Sequence, residues 1–168
     1  MDSEKRYCLD ANAFIEPWNK YFTIKRCPEY WDILEDLGEK QIVFCPDQVK
    51  REIDKVDDGL KTWLNARRFF LRQETEVVQQ HARTLLKAFP QLINVGARRS
   101  MADPWVIAHA MAEQAVVVSK EYLVHPGQKS TQIKIPDVCK YFKIVCINDF
   151  DFVDELGIKF KASIQICG

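Results

Sequence analysis

The chain has 168 residues, of which 47% are hydrophobic and 29% charged, with 24 basic and 24 acidic side chains. This composition is typical of one folded globular domain over residues 1–168 rather than of a disordered chain. A net charge of zero argues against broad, non-specific binding of nucleic acid. No apolar run approaches the ~20 residues that cross a bilayer, and the charged N-terminus lacks a signal-peptide pattern. We therefore expect a cytoplasmic protein with no membrane partner.

The six cysteines have neither a C-x-x-C spacing nor a pairing with histidine, which argues against a zinc site. They lie mostly in apolar surroundings, so we expect reduced and buried thiols. The cysteines are Cys8, Cys27, Cys45, Cys139, Cys146 and Cys167.

Short apolar runs with the character of buried strands alternate with helical patterns, which predicts an α/β domain. The continuous apolar run at residues 115–119 is typical of a central parallel strand covered on both faces. Strands are predicted at residues 7–10, 41–45, 115–119 and 144–147, with 158–167 as a candidate for a final strand. Helices are predicted from Pro28 to Gly38, from Pro46 to Asp57, once or twice within 60–89, from Asp103, from Pro136 to Phe142, and from Asp149 to Gly157, with an aromatic turn at Glu16–Phe22.

Two acidic side chains follow predicted strands. Asp10 ends the first run, with Asn12 just beyond it, and Glu121 comes two residues after the strand at 115–119. In an open α/β sheet, the carboxyl ends of the strands form the edge at which ligands bind. Asp10 is therefore a candidate metal ligand. The alternative role for Asp10 is to cap the next helix, because Asp is a favoured N-cap.

Two further acids have helical positions. Glu52 lies on the same predicted helix face as Val49 and Ile53, where a carboxylate is costly unless it is paired or bound to a metal. Asp103 begins a helix in a Ser-x-x-Asp pattern. The alternatives are pairing with Lys or Arg for Glu52 and helix capping for Asp103. His109, in the same helix as Asp103, is predicted at the surface or edge.

Parallel strands bring their carboxyl ends to one edge, so these four acids are placed to converge there. Crowded carboxylates repel one another, and their pKa values rise unless a cation neutralises them. Hard oxygen ligands favour Mg²⁺ or Mn²⁺. Such ions activate water for attack on a phosphodiester and stabilise the leaving oxygen. The four acids therefore indicate metal-assisted hydrolysis of a nucleic acid.

Four ordered motifs resemble those of PIN-like nuclease domains: Y-C-L-D-A-N-A-F-I, the acid of V-K-R-E-I, A-D-P-W-V-I-A-H-A and V-V-V-S-K-E. The resemblance extends from Tyr7 to about Phe160. The segments I-K-I-P-D-V-C and E-L-G-I-K-F resemble a bacterial PIN-like branch related to the VapC-type toxins of toxin–antitoxin pairs. The resemblance implies a PIN-like three-layer α/β/α sandwich with a central, mainly parallel sheet, and an Mg²⁺- or Mn²⁺-dependent ribonuclease activity.

The resemblance also implies roles for individual side chains. Asp10, Glu52, Asp103 and Glu121 would form the catalytic and metal-binding site. By this resemblance, Asp10 and Asp103 would hold the metal most directly, and Glu52 and Glu121 would ligate through water or orient it. Many relatives have Asp where this chain has Glu121.

Four more residues are candidates for substrate contacts: Asn12, Ser119, Arg98 and Lys134. Ser119 stands where the family often has a small hydroxyl residue, and Asn12 is placed to hydrogen-bond Asp10. The two basic residues are candidates for phosphate contacts, with a solvated surface position as the alternative. Asp137 is either a fifth acid of the site or, as we favour, a helix cap.

These expectations describe an endoribonuclease that hydrolyses RNA phosphodiester bonds. By resemblance it would be the toxin of a toxin–antitoxin pair, with an antitoxin protein over the acidic pocket and a homodimer as a plausible assembly. The alternative is a catalytically weak PIN-like module that binds RNA or protein. A DNA nuclease is a third reading, because the sequence does not reveal how the 2′-OH of RNA would be recognised.

Overall fold

The computed structural model describes residues 4–56, 58–93, 101–121 and 133–164. Its strands are β1 (Tyr7–Leu9), β2 (Val43–Pro46), β3 (Leu71–Arg72), β4 (Val116–Val118) and β5 (Cys146–Ile147). They form one sheet in the order β3-β2-β1-β4-β5, and every pair of neighbours is parallel. Leu9 pairs with Val118, so the next residues, Asp10 and Ser119, leave the sheet side by side. The predicted α/β class with a mainly parallel sheet is confirmed.

Helices flank the sheet. Within the described ranges they are α1 (Ala11–Glu16), α2 (Pro28–Glu39), α3 (Asp47–Val56), α4 (Asp58–Asn65), α5 (Glu76–Ala88), α6 (Asp103–Glu113), α7 (Ile135–Tyr141) and α8 (Asp149–Glu155). α6 packs against β1, β2 and β4, and α5 packs on α6. None of the helices in these ranges is both long and apolar enough to span a membrane.

The central strands are buried because their side chains are apolar on both faces, as a covered parallel sheet requires. Cys8, Leu9, Phe44 and Val117 are fully buried. Of the five cysteines that the structure describes, all of them free thiols, Cys8, Cys45 and Cys139 are buried as expected, whereas Cys27 and Cys146 are only partly buried.

The predicted aromatic turn at Glu16–Phe22 is wrong, because this stretch is largely helical. It comprises the end of α1 and a π-helical turn at Pro17–Tyr21. The aromatic side chains favour this backbone because they find partners in the core. The Trp18 ring packs edge-on against Trp31, with 4.8 Å between ring centroids.

The region 60–89 contains more than the predicted one or two helices. After α4, a 3₁₀ turn at Arg68–Phe70 leads into β3, which pairs with the end of β2. A two-residue strand is too short to leave a periodic pattern, and its partner lies far away in the sequence.

The candidate final strand at 158–167 does not form over residues 158–164, and 165–167 lie outside the described residues. Phe160 stacks on Phe22 instead.

Two helix predictions are corrected at their ends. Gly38 does not end α2, which continues to Glu39. Asp149 is not the cap of α8, because the Asn148 side chain accepts hydrogen bonds from the backbone N–H groups of Phe150 and Asp151 in the first turn of the helix. The predicted surface or edge position of His109 is also wrong, because its side chain is only 1% exposed within α6.

Gly38 is required by a close approach between α2 and the 3₁₀ turn. A Cβ added at Gly38 would clash with the Phe70 ring. Gly38→Ala is therefore expected to lower the free energy of unfolding by about 1–3 kcal/mol, as overpacking does. Urea denaturation of Gly38→Ala, Phe70→Leu and the double variant would test this, with destabilisation in the double variant smaller than the sum. A stabilised Gly38→Ala variant, as helix propensity alone predicts, would contradict it.

His109 makes stability depend on pH. Burial, together with the smaller effect of the Arg72 charge, lowers the pKa of His109 to about 4. Neither ring nitrogen has a hydrogen-bond partner among the described residues. The unfolded chain binds the proton near pH 6.5 and the folded chain only near 4, so stability is lost as pH falls between these values, by up to about 3 kcal/mol. We expect His109→Leu to flatten this part of the pH profile of urea denaturation, and an unchanged slope would refute the assignment.

Candidate active site

Asp10 is the centre of the candidate site. It follows β1 directly, serves as the N-cap of α1, and is 3% exposed. Its Oδ1 accepts a hydrogen bond from the Ala11 N–H at 2.7 Å, and its Oδ2 accepts one from the Ser119 hydroxyl at 3.4 Å. Both donors are neutral. Asp10 therefore caps α1 and also lies at the centre of the candidate site, so the two roles that the sequence presents as alternatives are compatible.

The four predicted acids act on one another electrostatically. Burial raises the pKa of Asp10 well above its ordinary value, and the negative charges of Asp103, Glu52 and Glu121 raise it further. The Ala11 N–H opposes this shift by stabilising the charged carboxylate. The fold therefore gathers carboxylates from one strand end, two helices and the loop after β4 around a buried position.

Glu52 and Asp103 come from helices that meet near this edge. Glu52 lies on α3, and its Oε1 accepts a hydrogen bond from the Ala102 N–H at 3.1 Å, just before α6 begins. Asp103 is the first residue of α6 and is 8% exposed. An anion at this position is favoured by the helix dipole. The N-cap residue of this helix is Ala102, and Ser100 of the predicted Ser-x-x-Asp pattern lies outside the described residues.

Glu121 is held from two sides. Its Oε2 accepts a hydrogen bond from the Ile135 N–H at 2.7 Å, and its Oε1 lies 3.5 Å from the Lys134 ammonium. Its own backbone N–H donates to the Ser119 hydroxyl oxygen at 3.2 Å. Ser119 therefore links Asp10 to Glu121, and Lys134 brings a positive charge to the same edge.

The remaining predicted residues are more peripheral or lie outside the description. Asn12 is exposed on α1. Arg98 falls outside the described residues. Asp137 Oδ2 accepts from the Lys134 N–H at 3.1 Å, which agrees with the favoured capping role.

The donor set suits a hard divalent cation. Its oxygens are all carboxylates or hydroxyls, and the buried Asp10 carboxylate would be stabilised by a positive charge. Within the described ranges, no group of three or more His, Cys, Asp or Glu side chains is arranged tightly enough to hold a metal ion. The Glu52 and Glu121 carboxylates each accept a hydrogen bond from a backbone N–H.

A second polar group at this edge was missed by the sequence reasoning. Asp149 follows β5 and is 1% exposed; its carboxylate lies 2.9 Å from the Lys120 ammonium and also accepts a hydrogen bond from the Tyr21 hydroxyl. Its position just after a strand, the same signal that singled out Asp10, could have identified it.

The structure is thus an α/β domain with an acidic site at the carboxyl edge of a parallel sheet. The chain belongs to the family described as domain of unknown function DUF4411, whose model matches residues 7–160. No curated protein matches the chain by sequence.

Two solved structures are similar in fold. One is VapBC2 from Rickettsia felis bound to a DNA fragment from their promoter, with 18% identity and a TM-score of 0.48 over 84% of this chain and 97% of that chain. The other is VapBC-1 from nontypeable Haemophilus influenzae, with 13% identity and a TM-score of 0.49 over 86% of this chain and 98% of that chain.

The buried charge of Asp10 leads to a prediction about stability. Asp10→Asn removes a desolvated and repelled charge, so we expect this variant to melt at a higher temperature than the wild type in EDTA. In a chain of this size, each 1 kcal/mol gained corresponds to about 2–4 °C. Mn²⁺ should raise the melting temperature of the wild type but not that of the variant.

Asp32→Asn is the matched control, because Asp32 is exposed on α2. It should melt like the wild type in EDTA and keep the Mn²⁺ response. A wild-type protein whose melting temperature is unaffected by millimolar Mn²⁺ would argue against a metal site.

Proposed function

We propose that this protein is a metal-dependent nuclease that hydrolyses RNA phosphodiester bonds at the carboxyl edge of its sheet. The observation that carries the proposal is the environment of Asp10. This carboxylate is buried, and three other carboxylates raise its pKa further. A fold gains nothing in stability from such a cluster by itself, so a bound cation is the simplest reason for it.

Asp10 and Asp103 would hold an Mg²⁺ or Mn²⁺ ion directly. When bound, such an ion supplies Lewis-acid stabilisation of the phosphoryl oxygens and an activated water. Glu52 and Glu121 would orient water at the metal, since their carboxylates already bond to backbone N–H groups of neighbouring elements.

Two further residues would support these acids. The Ser119 hydroxyl donates a hydrogen bond to the Asp10 carboxylate and accepts one from the Glu121 backbone N–H. Ser119 would therefore hold these two acidic residues in place relative to each other. Lys134, whose ammonium lies 3.5 Å from the Glu121 carboxylate, would contact the phosphate backbone of the substrate. Asn12, exposed on the first turn of α1, and Arg98 remain candidates for contact with that backbone.

The toxin role and the antitoxin partner rest on the sequence motifs that resemble VapC-type toxins. An antitoxin would cover the acidic edge and keep the nuclease inactive, and the protein would act in the cytoplasm. A homodimer belongs to the same proposal, and light scattering of the purified protein would test it.

Cleavage of a panel of single-stranded RNA and DNA, in Mn²⁺ or EDTA, tests the activity. We expect RNA to be cut only with metal, and Asp10→Asn and Asp103→Asn each to lose on the order of 10²-fold or more in rate, as removal of one electrostatic stabilising group does. Both variants should keep a cooperative thermal transition.

Asp32→Asn is again the control and should cut like the wild type. If both site variants cut as fast as the wild type, the proposed site is wrong. If folded protein free of any antitoxin cuts nothing, a PIN-like binding module becomes the better interpretation.

A further inference from the structure

An aromatic surface adjoins the acidic edge. It consists of four rings from three segments of the chain: the exposed Phe150 and Phe160, and the half-buried Tyr21 and Phe22. Phe150 is 49% exposed and Phe160 is 43% exposed, which is unusual for large apolar side chains. Tyr21 and Phe150 lie with centroids 4.9 Å apart at an interplanar angle of 31°, and Phe22 and Phe160 stack at 4.8 Å and 26°.

Lys120 connects this aromatic surface to the acidic site. It follows Ser119, whose hydroxyl bonds to Asp10. Its ammonium lies 4.9 Å from the centroid of the Phe150 ring and 5.3 Å from that of Tyr21. The two rings therefore contact Lys120, and the residue before Lys120 in the chain hydrogen-bonds to the central carboxylate, Asp10.

The rings are held in place rather than loosely attached. The Tyr21 hydroxyl donates to Asp149, and the same carboxylate pairs with the Lys120 ammonium at 2.9 Å. Asp149 is buried, so this pair is little screened by solvent. A π-helical turn, a feature frequent at functional sites, carries Tyr21 to this position. Fixed aromatic rings lose little conformational entropy when a flat ligand stacks on them.

Basic side chains border three of the four rings, whereas Phe150 lies between Asp149 and Asp151 in the chain, and the Lys20 ammonium is paired with Glu16 at 2.6 Å. Lys20 precedes Tyr21, and Arg26 donates to the Lys20 carbonyl oxygen at 3.3 Å. Lys159 and Lys161 flank Phe160, and both are exposed. Aromatic rings interleaved with basic side chains are the composition of a surface that binds single-stranded nucleic acid. An apolar docking surface for a protein would more often have a core depleted of such charges.

We propose that Phe150 and Tyr21 form a base-stacking subsite for unpaired nucleotides next to the phosphate cleaved at the acidic edge. The inference rests on the proposed nuclease function and narrows its substrate to single-stranded RNA. Bases in a duplex are already stacked and paired, so they are not available to these rings. Lys120 is a positioning residue in this subsite, since Asp149 already neutralises its charge.

Binding of a short fluorescent oligoadenylate, measured by anisotropy in EDTA so that no cleavage occurs, tests the subsite. Phe150→Leu should weaken single-stranded binding about tenfold, within the range found for loss of one base–aromatic stack. Phe150→Trp should restore it, because the larger ring stacks at least as well. Binding of the duplex formed with oligouridylate should not differ among these proteins.

Tyr141→Leu is the matched control. Tyr141 is 66% exposed and packs against Phe89 in a separate aromatic group on α7. It should bind oligoadenylate like the wild type, and all variants should melt like the wild type, because Phe150 and Tyr141 are exposed.

The outcomes separate this inference from the nuclease proposal. If the wild type cuts RNA but Phe150→Leu binds as tightly as the wild type, the subsite is refuted and the nuclease stands. If binding depends on Phe150 but no protein cuts RNA, the subsite stands without the nuclease. Absence of binding by the wild type refutes the subsite. If Phe150→Leu instead turns a dimer into a monomer with unchanged RNA binding, the surface joins two copies of the chain, which also refutes it.

Discussion

The repulsion between Asp10 and the acids around it is the constraint on which the carboxyl edge of this protein depends. A carboxylate that is 3% exposed at the end of a central strand is costly to ionise. The parallel register of β1 and β4 fixes its position, because Leu9 lies opposite Val118 and leaves Ser119 beside it. The available hydrogen bonds, from the Ala11 N–H and the Ser119 hydroxyl, lessen this cost without cancelling the charge.

The other carboxylates tie the fold together at the same place. Glu52 joins α3 to the residue before α6, and Glu121 joins the end of β4 to the first residue of α7. Each uses a backbone N–H at the start of a helix, which has no partner within its own helix. The acids proposed to act on water are therefore also the residues that fix α6 and α7 at this edge. This dual use favours a preorganised site in which side chains need little movement.

The two halves of the edge balance charge in different ways. Around Asp10, like charges accumulate, and a metal ion would be needed to neutralise them. Around Asp149, the balance is internal, since the Lys120 ammonium lies 2.9 Å away and the Tyr21 hydroxyl completes the group. In the function that we propose, the first half would act on the phosphate and the second would hold the base beside it. Ser119 belongs to the half around Asp10, and the next residue, Lys120, belongs to the half around Asp149.

The sequence by itself determined the α/β class and the positions of Asp10 and Glu121 relative to their strands. Both follow from local patterns, because a continuous apolar run marks a covered strand, and Asp10 comes directly after one such run and Glu121 shortly after another. Only the tertiary structure decided the two-residue β3, the burial of His109 and the need for glycine at position 38. Each of these depends on a partner that is distant in the chain. A periodic pattern reveals which face of an element is apolar, but not which side chain will pack against it.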